Sequence, residues 1–246
     1  MKTTANTVLI TGGSAGIGLE IARHFVALGN KVIITGRDEQ RLNKAAAELG
    51  NVTAIPFDVS NAESVEQLVN RVKNDFPDLN VLINNAGSAG LHNLAKGSGA
   101  YEIAADEMNT NYLSVIRLTE KLLSVLSAQK ESAVVTVSSI VAFAPTQHLP
   151  TYSASKAALH SYTQSLRIAL RETSVKVFEL MPPLVNTQFS AEIGGEKGIA
   201  PSVLAEDLID AMVNNRFEIH TGQTEYIYQL SLADPAHAVL VMNGLD

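Results

Sequence analysis

Tyr152 and Lys156 are the pair in this chain whose types and spacing could do chemistry. Of the six tyrosines, only Tyr152 has a lysine four residues on. On a helix, such positions share one face, about a turn apart. An ammonium there favours the phenolate and lowers a tyrosine pKa from about 10. Tyr152 would then donate or accept a proton near neutral pH. Upstream, Ser139 lies at the end of the apolar run Ala133–Val137. Near the start, Thr11-Gly12-Gly13-Ser14-Ala15-Gly16-Ile17-Gly18 follows a short apolar run and opens a helical pattern. Gly12 suits a tight turn, Gly16 lets backbone approach a pyrophosphate, and Gly18 permits close packing of helix on sheet. The helix start offers free N–H groups and a partial positive charge. Together these features point to a redox enzyme.

The elements that must position these groups alternate. Strand patterns cover Thr7–Thr11, Lys31–Thr35, Val52–Phe57, Asn80–Ile83, Ala133–Ser138, Val175–Leu180 and Glu218–Thr221. Helical patterns run from the glycine turn to Leu28, over Asp38–Leu49, from a cap at Ser60 or Asn61 to Asn74, and over Ala205–Asn214. One long amphipathic helix is expected after the Gly87–Gly99 loop, ending near Leu126, and another carries Tyr152 to about Thr173. This alternation implies an α/β fold with a doubly wound, mostly parallel sheet. No linker or repeat divides the 246 residues, so a single domain is expected.

Composition narrows the function classes. Hydrophobic residues make up 46% of the chain and aromatics 5%, as a buried parallel sheet requires. Net charge is -7 and the pI about 5.4, with no basic cluster, so nucleic acid and membrane are not expected partners. Zero cysteines exclude disulfides, thiolate metal sites and cysteine nucleophiles, and no metal ligand set is predicted. No apolar run reaches the ~18 residues of a membrane span, and the expected location is cytoplasmic.

The Gly-x3-Gly-x-Gly turn with Tyr152-x3-Lys156 resembles the short-chain dehydrogenase/reductase family. Further motifs fall in the family's order: Asn84-Asn85-Ala86-Gly87, Asn111, and Ser138-Ser139. The resemblance implies a Rossmann fold with seven strands in the order 3-2-1-4-5-6-7. It implies Tyr152 as general acid or base, Lys156 as its partner and a ribose ligand, Ser139 as holder of the substrate oxygen, and Asn111 as anchor of a relay water. The implied nucleotide contacts are Gly12, Ser14, Ala15, Gly16, Ile17, Gly18, Asp58, Val59, Asn85, Ala86, Gly87, Pro182, Val185 and Thr187, besides Tyr152 and Lys156. Gly36 stands where NAD-preferring relatives carry Asp, and Arg37 follows, so NADP is expected over NAD. Asp58 could equally be a turn or N-cap residue.

The resemblance leaves the substrate open beyond a small-molecule carbonyl or alcohol. Phe143, Gln147, His148, Leu149, Leu184 and Phe189 are candidate pocket residues, and residues 188–202 a candidate lid. Pro182-Pro183 replaces the family's usual Pro-Gly, a variant similar to one bacterial subset of these oxidoreductases. Residues 222–246 depart from the family's ending, and either cover the pocket or pack on a partner subunit. Relatives associate through the long helix and the Tyr152 helix, so a homodimer or homotetramer is expected. The alternative function is a catalytically silent nucleotide-binding regulator.

Overall fold

The computed structural model describes residues 1–245. Seven strands form one all-parallel sheet in the order β3-β2-β1-β4-β5-β6-β7. They are β1 (Thr7–Ile10), β2 (Lys31–Gly36), β3 (Val52–Pro56), β4 (Val81–Asn84), β5 (Ser132–Val137), β6 (Val175–Met181) and β7 (Glu218–His220). The expected order and class are those observed; the sheet is parallel throughout, because each connection is a helical crossover.

Alternation along the strands divides the core into two layers. Val8, Ile10, Val32, Ile34, Val135 and Leu180 meet α1 (Gly16–Ala27), α2 (Glu39–Leu49) and α7 (Pro201–Asn214). Leu9, Ile33, Leu82, Val134 and Val177 meet α3 (Ala62–Asp75), α5 (Ser114–Ser127) and α6 (Pro150–Ala169). Asp38 and Asn61 cap α2 and α3 by accepting bonds from Arg41 N and Ser64 N, at 3.0 and 2.9 Å. Strand order reverses between β1 and β4, which opens a crevice beyond their carboxyl ends.

Two segments differ from expectation. The long amphipathic helix is broken: α4 (Ala100–Met108) and α5 flank one π turn, Asn109–Leu113. There Ser114 N bonds Asn109 O, and Ser114 Oγ bonds Thr110 O at 2.6 Å, a back-bond that bends helices. The tail forms two helices, α8 (Gln223–Ala233) and α9 (Pro235–Met242). Asp234 caps α9 by accepting from His237 N at 3.0 Å, with Pro235 at its first position. The Asp-Pro pair was the legible signal for that start.

Candidate active site

The glycine turn is clamped to the loop after β4. Asn85 Nδ2 donates to Thr11 O and Gly12 O at 3.0 and 3.1 Å, while Asn85 N and Ala86 N donate to Thr11 Oγ1. Gly12 adopts φ +67°, and a Cβ there would meet Ala86 Cα at 3.0 Å. A Cβ on Gly18 would collide with the Asn85 amide and Gly12 O. The start of α1 has no side-chain cap, so its first N–H groups remain available to an anion.

A cleft of about 950 Å³ runs from this turn to Tyr152. Its lining includes Gly12, Ser14, Ala15, Gly16, Ile17, Arg37, Val59, Asn85, Ala86, Gly87, Pro182, Val185 and Thr187 from the expected nucleotide contacts. Gly18 and Asp58 stand outside that lining. Gly18 serves packing. The Asp58 carboxylate accepts from Ser60 N and Ser60 Oγ at 2.9 and 2.7 Å, and so closes the turn into α3.

At the far end, Ser139, Tyr152 and Lys156 converge. Ser139 follows β5 in extended backbone, its hydroxyl accepting from Val141 N at 3.4 Å, and it lines the cleft beside Tyr152. Lys156 lies one turn along α6, its Nζ 5.5 Å from the Tyr152 ring centroid and 2.8 Å from Val137 O. The predicted depression of the tyrosine pKa does not occur in the protein alone. Burial pushes Tyr152 up; the nearby Ser139 hydroxyl opposes this, and the Glu107 carboxylate adds to it. Burial pushes Lys156 down to about 8, with Glu179 acting to hold it up. Helical spacing set the proximity, but both groups are desolvated and the ammonium faces a carbonyl rather than the phenol. Tyr152 is therefore a neutral phenol at pH 7.

Asn111 lies in the π turn and outside the cleft lining. Its Nδ2 donates to Ser88 O and Ser155 Oγ, both at 2.9 Å, and its Oδ1 accepts from Ser88 N at 2.8 Å. Both amide protons are committed to bracing the β4 loop against α6. Phe143 is a correction: it turns away into an aromatic group with His160, His220 and Tyr228. His148, Leu149, Leu184 and Phe189 do line the cleft, with the Phe189 ring 6.1 Å from that of Tyr152. Gln147 does not line it; its backbone N–H donates to Asn243. Residues 188–202 form two 3-10 turns, a bridge from Val185 to Ile199 and the start of α7.

Several cleft residues escaped the sequence reading. Ser138 Oγ and Thr110 Oγ1 are buried without a partner, and both residues line the cleft. Arg41, in the first turn of α2, joins Arg37, which precedes that helix, and Met242 arrives from α9. Ser138 was read within the Ser138-Ser139 motif without a role of its own, and Thr110 precedes Asn111, so those motifs were the available signal. Nothing local marks Met242. The orphan hydroxyls, glycine cradle, uncapped helix start and cleft size fit an elongated phosphorylated nucleotide.

The face of α6 that carries Tyr152 and Lys156 continues to His160, whose Nδ1 lies 3.1 and 2.9 Å from the two oxygens of the fully buried Glu179. Burial works to lower the His160 pKa, but the Glu179 bond and charge outweigh it and hold the imidazole above its ordinary value. A raised folded-state pKa stabilises fully below the unfolded value near 6.5 and is lost as pH rises through the folded one. His160→Ala strands the carboxylate and is expected to cost about 3 kcal/mol near pH 6. Urea melts across pH should also show a shallower loss of stability on the alkaline side; equal midpoints for variant and parent would refute the pairing.

Fold and site define an α/β protein whose nucleotide-shaped cleft ends on a serine, a tyrosine and a lysine. The short chain dehydrogenase family model matches residues 6–198, and the chain belongs to that family of NAD(P)-dependent oxidoreductases. It is 38% identical over 239 residues, 95% of each chain, to the uncharacterized oxidoreductase DltE of Bacillus subtilis. It is 33% identical over 223 residues, 85% of this chain and 86% of the other, to the serine 3-dehydrogenase of Agrobacterium fabrum. Its fold matches a short chain dehydrogenase of Burkholderia cenocepacia crystallised with NADP, at TM-score 0.88 and 24% identity over 98% of this chain and 99% of that one.

Proposed function

We propose that the protein is an NADP(H)-dependent oxidoreductase acting on a carbonyl or secondary alcohol, with Tyr152 as general acid and base. One observation carries this reading. Tyr152, Ser139 and Lys156 together line the end of a cleft that begins at an uncapped, glycine-lined helix start. A bound nicotinamide nucleotide supplies or accepts the hydride. The residues do the rest. Ser139 holds the substrate oxygen, and Tyr152 donates the proton that the oxygen takes up on reduction. Lys156 faces the nucleotide's ribose, and Ser138 and Thr110 offer hydroxyls to it. The glycine turn and α1 take the pyrophosphate, with Asn85, Ala86, Gly87, Val185 and Thr187 around the remainder. The segment 188–202 is the lid, and Leu113 and Ile168, both exposed, mark the helix face for self-association. A panel of ketones, aldehydes and alcohols, followed at the NADPH absorbance band, tests the activity. Nucleotide binding without turnover of any of them would favour a silent regulator.

The preference for the phosphorylated nucleotide rests on the end of β2. A side chain at Gly36 would meet Ser14 Oγ at 3.0 Å, so the usual acidic ribose ligand is absent and has little room. Arg37 and Arg41 line that end of the cleft with exposed guanidiniums suited to a 2′-phosphate. Arg37→Asp is expected to lower the NADPH-to-NADH ratio of kcat/KM roughly a hundredfold. A ratio below one in the parent protein would remove the argument.

A further inference from the structure

Charge is distributed unevenly along the cleft. Among the described residues, its charged lining consists of Glu20, Arg37, Asp38 and Arg41 toward the glycine turn and β2, and Lys156 beside Tyr152. Lys156 already donates to Val137 O. Around Tyr152 the walls are Val141, Leu149, Leu184, Phe189, Ile193 and Met242. Thr146, Asn186, Gln188 and Ser190 supply uncharged polar groups near them, and besides Lys156, His148 is the group there that an anion could meet.

The C-terminal helix belongs to this wall. Ala238 of α9 is buried with Ile140, Val141, Ala144 and Ile227, and Tyr152 and Met242 pack against that same cluster. Asn243 latches the helix end to the loop before α6. Its Oδ1 accepts from Gln147 N at 2.7 Å, and its Nδ2 donates to Pro145 O at 3.0 Å. The tail therefore contributes Met242 to the cleft wall of its own chain.

From this we infer that the substrate is a neutral, predominantly apolar carbonyl or secondary alcohol, and that α9, through Met242, sets this preference. The inference rests on the oxidoreductase reading and narrows it. A carboxylate entering beside Leu184, Phe189 and Met242 would lose water and meet only His148 and a Lys156 ammonium already bonded to Val137 O. A zwitterion such as serine, the substrate named for the 33% identical Agrobacterium enzyme, also needs an anionic partner, and the described lining around Tyr152 supplies none. An apolar chain gains by burial against the same walls.

The test separates binding from turnover. Octanamide and octanoate, matched in length and differing in charge, are titrated into the full chain with saturating NADPH, and the thermal shift is read. Octanamide is expected to bind roughly a hundredfold more tightly. Octanoate binding as well or better, or neither ligand shifting the melt, overturns the inference. Met242→Arg should narrow the ratio about tenfold, and Asn243→Ala should weaken octanamide alone, each with NADPH affinity unchanged. An unchanged ratio in both folded variants would remove α9 from the specificity. Turnover of the ketone and alcohol panel reports separately on the oxidoreductase reading, because the ligand ratio needs no chemistry.

Discussion

Tyr152→Phe is expected to reduce kcat for carbonyl reduction by about a thousandfold or more while NADPH binds within about twofold of the parent. The substitution removes one oxygen from a buried ring and leaves the packing against Phe189 and the Ile140 cluster. It deletes the phenol that lines the cleft end with Ser139. A stability change of about 1 kcal/mol at most should follow, since the group lost is a single neutral hydroxyl. Rapid-quench or absorbance kinetics, with fluorescence titration of NADPH, check both halves. Turnover at the parent rate would sink the assignment of Tyr152. The pH profile adds a directional check. Burial keeps the phenol protonated well beyond neutrality, so reduction should be flat from about pH 6 to 8, and oxidation should climb with pH. A fall in reduction above about pH 8 would report Lys156, which titrates there.

Lys156→Met is expected to have the second large effect, with opposite signs on function and stability. Turnover should fall by about a hundredfold or more, and NADPH affinity about tenfold, because the residue sits behind the phenol and beside Gly87. The protein should nevertheless become more stable at pH 7. Its folded pKa, about 8, lies below the unfolded value near 10.5. Between those values the unfolded chain binds more protons, so stability rises with pH there, and below about pH 8 the full penalty of the buried ammonium is present. Methionine removes that penalty but also the bond to Val137 O and the attraction of Glu179. The net gain should be about 2 kcal/mol by urea denaturation at pH 7. An equal or lower denaturation midpoint would show that Lys156 is not held against a desolvation penalty. The pattern is that of a site strained for function within a scaffold that tolerates it.

The amino-acid sequence by itself determined the alternating elements of a parallel, doubly wound sheet and the local spacing of its site residues, while the strand order came with the family resemblance. Apolar runs separated by helical patterns leave few topologies once crossovers are right-handed. The Tyr152–Lys156 contact follows from an i, i+4 spacing, and the turn at Gly12–Gly18 from residues adjacent in the chain. These are local relations, and local relations survive being read in one dimension. Tertiary structure decided what depends on distant atoms. The Tyr152 pKa moves up rather than down because burial by the whole fold outweighs one neighbouring charge, and Lys156 turns to a β5 carbonyl. Asn111 spends its amide on Ser88 and Ser155, residues 23 and 44 positions away. Phe143 leaves the cleft for His160, His220 and Tyr228, while Met242 enters it from the opposite end of the chain. Desolvation and packing are sums over every element that closes around a group, and no window of sequence contains that sum.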